Sequence, residues 1–481
     1  MFTTTRETLA ERYRNIPFSQ LPKTFQDAVQ IARALGFQYL WIDSLCIIQD
    51  DTTDWELESA KMAGIYEESC LTIAATASVD SKGGFFFNRW TRQPWGRRSN
   101  IETFEFQRTF GDGDRTVYVR QAFESGHFTI AGTPLYPKFF TNTGPLLHRA
   151  WAYQERIMAP RVLHVNTDEM FWECKHCTLC ECGYLSWDRK QSDLEHLNRQ
   201  GPLVARPSST SKSRIARAVD QATPIENVRL IWQHILKDYT TLALTKESDR
   251  LPAISGLASF LSQRFETRYL AGLWEDNLAV ELSWQRERST TQGLCWRNTT
   301  SNMPSWSWAS IVRSHSGADN INRHNHICNV LVFGELIQDP RLKILHADCK
   351  VIGTNPFGEV SGGTISISGA LINVKLHLKR ESARGRSQVV FKLKSKSGSG
   401  SESNDVQLDI LGPDEPVEVS DREMLSCILF GKEGLESYNR GIALVLKAAG
   451  ADIYRRVGVL NLDAKNIRWW DGVMPVNVYI V

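Results

Sequence analysis

No stretch of the 481 residues approaches the roughly 20 uninterrupted apolar residues that a membrane span requires, so no membrane partner is expected. Charge of one sign is missing too: Lys+Arg number 56 and Asp+Glu 54, a formal net charge of +2. That balance excludes a strongly electrostatic binder, and no nucleic acid is expected as partner. The opening Met1-Phe2-Thr3-Thr4-Thr5-Arg6-Glu7 has no apolar core of the kind a secretory signal needs, and a cytoplasmic protein is the expectation. Cysteine is sparse. Ten in the whole chain, without a signal peptide, read as reduced thiols or a metal site before a disulfide framework. What is present is a core-forming composition, 42% hydrophobic and 23% charged, which excludes global disorder. Tryptophan is the odd excess: of 15, only Trp469 and Trp470 follow residue 310, which marks a seam there.

Residues 22–36 place Phe25, Ala28, Val29, Ala32 and Leu35 at helical spacing, with Pro22 where its missing N–H costs nothing and Gly36 suited to a left-handed cap. Tyr39-Leu40-Trp41-Ile42-Asp43 is an apolar run without alternation and reads as a strand covered on both faces, ending in a carboxylate. Asp54 or Thr53 can cap a second helix striped by Trp55, Ala60, Met62, Ala63, Ile65 and Tyr66, and residues 71–75 read as another buried strand. Helix, strand, helix, strand is the order of a parallel α/β sheet. A strand follows at 116–120 with no legible pairing, then a helix at 146–158 stopped by Pro160 and a strand at 161–165. Residues 186–226 are polar, centred on Pro207-Ser208-Ser209-Thr210-Ser211-Lys212, and read as a surface loop or linker. Helical pattern resumes at 228–239 and 252–263. From His326 the chain turns to short β-rich runs such as 364–369 and 389–393, and a Gly/Ser stretch at 397–403 reads as a disordered loop.

Leu21-Pro22-Lys23-Thr24-Phe25-Gln26-Asp27-Ala28, then Leu40-Trp41-Ile42-Asp43-Ser44-Leu45-Cys46-Ile47-Ile48-Gln49-Asp50-Asp51, closely resembles the central block of the fungal heterokaryon incompatibility (HET) domain. So do Asp54-Trp55-Glu56 through Met62, Ile65-Tyr66 and Leu71-Thr72-Ile73-Ala74-Ala75. Arg149-Ala150-Trp151-Ala152-Tyr153-Gln154-Glu155-Arg156, ending in Pro160-Arg161-Val162-Leu163, looks like that family's downstream motif, and Pro304-Ser305-Trp306-Ser307-Trp308-Ala309 matches what commonly follows it. The family usually opens, some tens of residues before Leu21, with a strand carrying Leu-Ser-Tyr or Leu-Ser-His and a Trp-Gly pair. This chain starts about twenty residues before Leu21, so the expectation is an N-terminally incomplete domain with an open sheet edge. The resemblance implies an α/β fold, an incomplete parallel sheet like that of the Toll/interleukin-1 receptor (TIR) domain with flanking helices over 1–165, followed by a helical, Trp-rich region over 166–310; the residue pattern adds a β-rich region over 311–481. It further implies non-self recognition and programmed cell death as the role, with protein partners or self-assembly through the HET domain.

Enzymatic TIR domains cleave NAD with a Glu on a helix carrying Trp-x-x-x-Glu, and Trp151-Ala152-Tyr153-Gln154-Glu155 has that spacing, indole and carboxylate one turn apart. By that resemblance Glu155 is the candidate catalytic residue, with Trp151, and NAD the candidate substrate; the carboxylate would stabilise oxocarbenium-like charge or orient ribose hydroxyls. The plain alternative is an ion-pair cluster of Arg149, Glu155, Arg156 and Arg161 packed by Trp151. Asp43, with Ser44 and Arg149, is a candidate ligand site at the carboxyl end of a predicted strand, with Gln49, Asp50 and Asp51 nearby. The commoner use of such aspartates is capping. Cys174, Cys177, Cys180 and Cys182, with His176 and His164 near, offer soft ligands for zinc, against buried reduced thiols. A protease built on Cys46 and His148 or His164 has no supporting motif. Trp306-Ser307-Trp308 alternates as a strand with one buried face does.

Overall fold

In the computed structural model, which describes residues 2–86, 104–110, 113–119, 144–167, 169–181, 211–285, 295–297, 302–313, 336–383, 386–395, 403–409, 418–433 and 440–481, the chain divides after Arg217 into two units. No helix among the described residues is long and apolar enough to cross a membrane.

The first unit carries helices α1 (Leu9–Arg14), α2 (Lys23–Ala34), α3 (Asp43–Cys46), α4 (Thr52–Glu67), α5 (Ala150–Met158) and α6 (Ser211–Ala218). Its main sheet runs in the order β1 (Thr72–Ala74), β4 (Arg161–Val165), β5 (Met170–Cys174), β6 (Thr178–Cys180). Strands β2 (Phe104–Phe110) and β3 (Gly113–Val119) form a separate antiparallel hairpin, the pairing that the sequence left open. Of the parallel sheet expected, one parallel pair is present, β1 with β4, Thr72 opposite Val162 and Ala74 opposite His164. The next two ladders are antiparallel.

Helix α2 begins and ends as its Pro22 and Gly36 predict, Gly36 standing at φ 78°. Its opening residues hold the loop before Phe85: Asp27, fully buried, pairs with Lys23 and accepts the N–H of Phe85 at 2.9 Å, and Thr24 Oγ1 donates to Asp80 O at 3.2 Å. The strand expected at 39–43 does not form. Ile42 is extended (φ −134°, ψ 119°), but among the described residues the segment pairs with no strand, and Asp43 already opens α3. Apolar composition without a ladder partner leaves an extended chain, and Tyr39 is 90% exposed. The cap of α4 is Asp51 and not Asp54 or Thr53: its carboxylate accepts from the N–H groups of Thr53 and Asp54. The helix expected at 146–158 is a 3₁₀ turn, Pro145–His148, followed by α5. Within the stretch read as linker, Ser211–Ala218 is helical, because Lys212, Ile215 and Ala218 share a buried face.

The second unit places helices α7 (Ile225–Tyr239), α8 (Ser255–Ser262) and α9 (Leu278–Glu281) before the β-rich region, with short pairs β7 (Tyr269–Leu270) with β8 (Leu273–Trp274) and β9 (Cys295–Arg297) with β10 (Ile311–Arg313). Trp306-Ser307-Trp308 is not a strand. All three side chains are buried, and the chain turns into a 3₁₀ segment at Trp308–Ser310. Trp308 Nε1 donates to Gly272 O at 3.1 Å, and Gly272 sits at φ 100° where a Cβ would lie 2.5 Å from that nitrogen, so no other residue fits.

Strands β11 (Leu336–Gln338), β12 (Lys343–Val351), β13 (Val360–Ala383), β14 (Arg386–Ser395), β15 (Ser403–Leu408), β16 (Met424–Glu433), β17 (Gly441–Ala448), β18 (Ile453–Leu462) and β19 (Pro475–Ile480) form one nine-stranded sheet. The Gly/Ser stretch lies outside the described residues up to Glu402, and Ser403 already begins β15. Long β13 pairs with β14 near its end and with β16 before that, and the ladders β16 to β17 to β18 to β15 to β14 return to β13. These six strands close into a ring, while β11 and β12 each pair on one side only, with β16 and β13. Val374, Leu376, Leu408, Leu425, Cys427 and Val445 fill the ring, together with Trp470 from the 3₁₀ segment Ala464–Trp470. Arg456 of β18 is buried yet fully engaged: it pairs with Asp409 (Nε to Oδ2, 2.9 Å), donates to the Leu282 and Trp284 carbonyls, and lies 3.4 Å over the Trp284 ring.

In the first unit a second buried network seats α5. Glu173 of β5 accepts from Arg156 Nε at 2.7 Å and Nη2 at 3.0 Å, and lies 3.2 Å from His164 Nε2. A carboxylate only accepts, so Nε2 carries the proton, and neutral His164 receives the Thr76 hydroxyl on Nδ1 at 3.0 Å. Burial holds the His164 pKa below its ordinary value. Lys212 of α6 donates to the carbonyls of Arg156 and Ala159, groups that the end of α5 leaves open. Burial brings the Lys212 pKa down to about 8, and Glu173 opposes that fall. Burial alone would raise the Glu173 carboxyl, but Arg156, the His164 bond and Lys212 outweigh it and hold it far below the usual range.

Replacing Glu173 with Ala strands two buried cations and should destabilise the protein by about 3–5 kcal/mol in chemical denaturation of the full chain; a loss under about 1 kcal/mol would refute the account. Since the folded pKa is depressed, the contribution is complete above the unfolded carboxylate's pKa and is lost as pH falls through the folded value, so the variant's acid limb should be flatter. Glu281 is the opposite case. It is 2% exposed, accepts the Trp274 N–H at 2.6 Å, and has no partner for Oε1 among the described residues. Burial pushes its pKa up to about 8. The folded state then keeps a proton that the unfolded chain releases, and stability falls as pH rises from the unfolded pKa toward about 8. Glu281→Gln should remove that slope and gain about 3–4 kcal/mol at pH 8 relative to pH 5, measured as the difference in unfolding free energies at the two pH values.

Candidate active site beside helix α5

Trp151 and Glu155 lie one turn apart on α5, on a face that is half-buried, while Ala152, Tyr153, Gln154, Ile157 and Met158 are buried. Trp151 meets Trp55 of α4 edge-to-face at 6.3 Å between ring centroids, which fixes one helix against the other. One turn further along this contact, the Tyr66 hydroxyl near the end of α4 faces the Glu155 carboxyl and works against the rise in its pKa. Trp41 packs edge-on against the Tyr66 ring at 5.6 Å. The extended segment before α3 thus supplies a wall of the site even though it forms no strand.

Glu155 and Glu173 show how far environment separates two identical side chains. Desolvation raises Glu155 to about 7, the negative charge of Asp43 adds to that, and the Tyr66 hydroxyl and Arg149 oppose it. Tyr66 is raised well above its ordinary value, first by burial and then by the charges of Glu155 and Asp43. Asp43, Tyr66, Arg149 and Glu155 are therefore one electrostatic cluster, brought together from α3, α4 and the start of α5. Arg149 is the N-cap residue of α5 and is exposed. Asp43 accepts the Ser44 N–H at 2.7 Å. Ser44 is buried, and its hydroxyl has no partner among the described residues.

The ion-pair cluster expected of Arg149, Glu155, Arg156 and Arg161 does not form as such. Arg156 points to Glu173, and Arg161 donates to Cys70 O at 3.3 Å, because consecutive helical residues diverge by about 100°. Asp50, Asp51 and Asp54 have local work: Asp50 accepts the Arg6 N–H, Asp51 caps α4 and pairs with Arg6, and Asp54 accepts the Ile48 N–H. Cys46 is exposed on α3, whereas both ring nitrogens of His164 are engaged with Thr76 and Glu173. Tyr66 is the member of the Glu155 cluster that sequence reading missed, having counted only as part of an apolar stripe. Its signal was the polar tip of a tyrosine, which seeks a partner when buried.

Of the cysteine cluster, Cys174 ends β5 and Cys177 precedes β6, their sulfurs 3.5 Å apart. Cys180 stands opposite Phe171, three residues or roughly 10 Å along the strand from Cys174. Cys182 lies outside the described residues. Among the described residues no three His, Cys, Asp or Glu side chains converge to hold a metal ion. Burial would raise the Cys174 thiol, but N–H groups from His176, Cys177 and the Trp172 indole, with the Cys177 thiol, bring it below its ordinary value.

Set against curated proteins and against solved structures, the chain gives no match. A family model does match it, over the span that contains α1 to α4, β1 and α5 as far as Glu155. Residues 3–155 match the family described as heterokaryon incompatibility protein (HET).

Proposed function

We propose that this protein acts in fungal non-self recognition and programmed cell death, in the cytoplasm, and that its HET domain is a TIR-like NAD hydrolase with Glu155 as the catalytic carboxylate. The observation that carries the chemistry is a desolvated carboxyl with a pKa of about 7, facing a tyrosine hydroxyl between an aspartate and an exposed arginine. In the proposed reaction the bond between nicotinamide nitrogen and ribose C1′ breaks, its electron pair leaving with neutral nicotinamide. The ionised Glu155 stabilises the positive charge left on the ribose, and water adds to C1′ and loses a proton. Arg149 suits the pyrophosphate and Asp43 a ribose hydroxyl, both being exposed. Trp151 acts as a positioning residue through Trp55.

A non-catalytic interaction module is the second reading, and a specific observation favours it. Residues before α3 are extended and unpaired among the described residues, with Tyr39 exposed, as in a strand that adds to a partner or a second copy.

Purified full-length protein should release nicotinamide from NAD, and Glu155→Ala should lower kcat about a hundredfold or more. Because the ionised carboxyl is the active form, kcat/KM should rise with pH through a midpoint near 7, and Glu155→Gln should abolish that limb. A wild type without turnover would sink the catalytic reading. Cell killing that persists in Glu155→Ala but is lost in Tyr39→Asp would support assembly instead.

A further inference from the structure

Hairpin β5–β6 turns at Lys175-His176, and its register, with Glu173 opposite Thr178, leaves Cys174 facing Cys177 across the next rung. The Cys174 N–H donates to Cys177 O at 2.9 Å, which closes the turn. Opposed residues of an antiparallel pair have Cα atoms about 4.5–5.5 Å apart, within the range that a disulfide spans. The two sulfurs are 3.5 Å apart, and the Cys177 N–H is directed at Cys174 Sγ at 3.4 Å. Donors arranged around a sulfur favour the thiolate, the nucleophilic form, and both cysteines are half-buried at a turn, within reach of a small reagent. Cys427, by contrast, is sealed in the closed sheet.

We infer that Cys174 and Cys177 form a thiol–disulfide exchange site that reacts with low-molecular-weight disulfides of the glutathione type, Cys174 attacking and Cys177 resolving. Cys174 Sγ attacks one sulfur of the reagent, the reagent's S–S bond breaks, and one glutathione thiolate leaves and takes up a proton, the equivalent of that lost by Cys174. Cys177 Sγ then attacks the Cys174 sulfur and expels the second glutathione thiolate, which takes the proton of Cys177. Two protein thiols are oxidised to one disulfide while one disulfide is reduced to two thiols.

The test uses the reduced full-length chain, equilibrated with glutathione couples of graded ratio, quenched by alkylation and mapped by mass spectrometry. The expected product is a Cys174–Cys177 disulfide with Cys349 and Cys427 still alkylated. In Cys177→Ser a glutathione adduct should accumulate on Cys174, about tenfold faster than any adduct on Cys177 in Cys174→Ser. Both serine variants are near-isosteric, so folding is retained for the comparison. Pairing of Cys174 with Cys180 or Cys182, or equal adduct rates in the two variants, would overturn the assignment. So would stoichiometric zinc in the purified protein that shields both thiols from alkylation, since the hairpin would then be a metal site.

Discussion

The bidentate bond between Arg156 and buried Glu173 is the constraint from which the first unit's site follows. It ties α5 to β5. Glu173 then draws in His164 of β4, which orients toward Thr76 beyond the end of β1, and Lys212 covers the open carbonyls at the end of α5. Each cation and the carboxylate has several partners, the condition under which buried charge is tolerated. With Arg156 anchored toward the sheet, the preceding residue is turned about 100° away, and that residue is Glu155. The Glu155 carboxyl is therefore aimed by the fixed direction of its neighbour, and the Trp55–Trp151 contact packs α5 against α4.

Charge is handled by the same logic in the second unit, on a different scaffold. Arg456 is buried against a closed sheet, but every N–H it presents to Asp409, Leu282 and Trp284 is matched, and the Trp284 ring covers the guanidinium face. Trp470, one of the two tryptophans after residue 310, packs inside the closed sheet and donates to Cys427 O. The earlier tryptophans are used differently: Trp232, Trp274 and Tyr269 interlock edge-to-face among the helices. The seam in tryptophan density thus reflects two ways of filling a core, aromatic packing among short elements and aliphatic packing inside a sheet.

Local signals were legible in the sequence where one residue decides the outcome. Pro22 and Gly36 bound α2, Pro160 ends the segment after α5, and residues 161–165 form the strand their apolar run predicts. Asp43, Arg149 and Glu155 were legible by motif, and the structure brings them into one electrostatic cluster with Tyr66. Partners that lie far apart in sequence were not legible. Nothing at Glu173, His164 or Lys212 distinguishes them from surface residues until β4, β5 and α6 are packed. The unformed strand at 39–43 fails for a related reason, since an apolar run specifies burial but a strand also needs a neighbour to share its hydrogen bonds. Trp306-Ser307-Trp308 fails because alternation implies two faces, and here both are covered.

Among the described residues, three buried or partly buried carboxyls have displaced pKa values, and their surroundings differ. Glu173 is pushed down because cations surround it, and every oxygen is engaged, so it is already spent on structure. Glu281 is pushed up like Glu155, but it is sealed at 2% exposure and its main partner is a backbone N–H, which gives a substrate no approach. Of the three, Glu155 combines a raised pKa with a position that is not fully buried, a neighbouring negative charge that keeps it from ionising early, and an exposed cation at the N-cap of the same helix. A raised pKa by itself marks desolvation. A raised pKa where a ligand can reach the carboxyl, next to groups of both signs that can bind that ligand's other parts, marks chemistry.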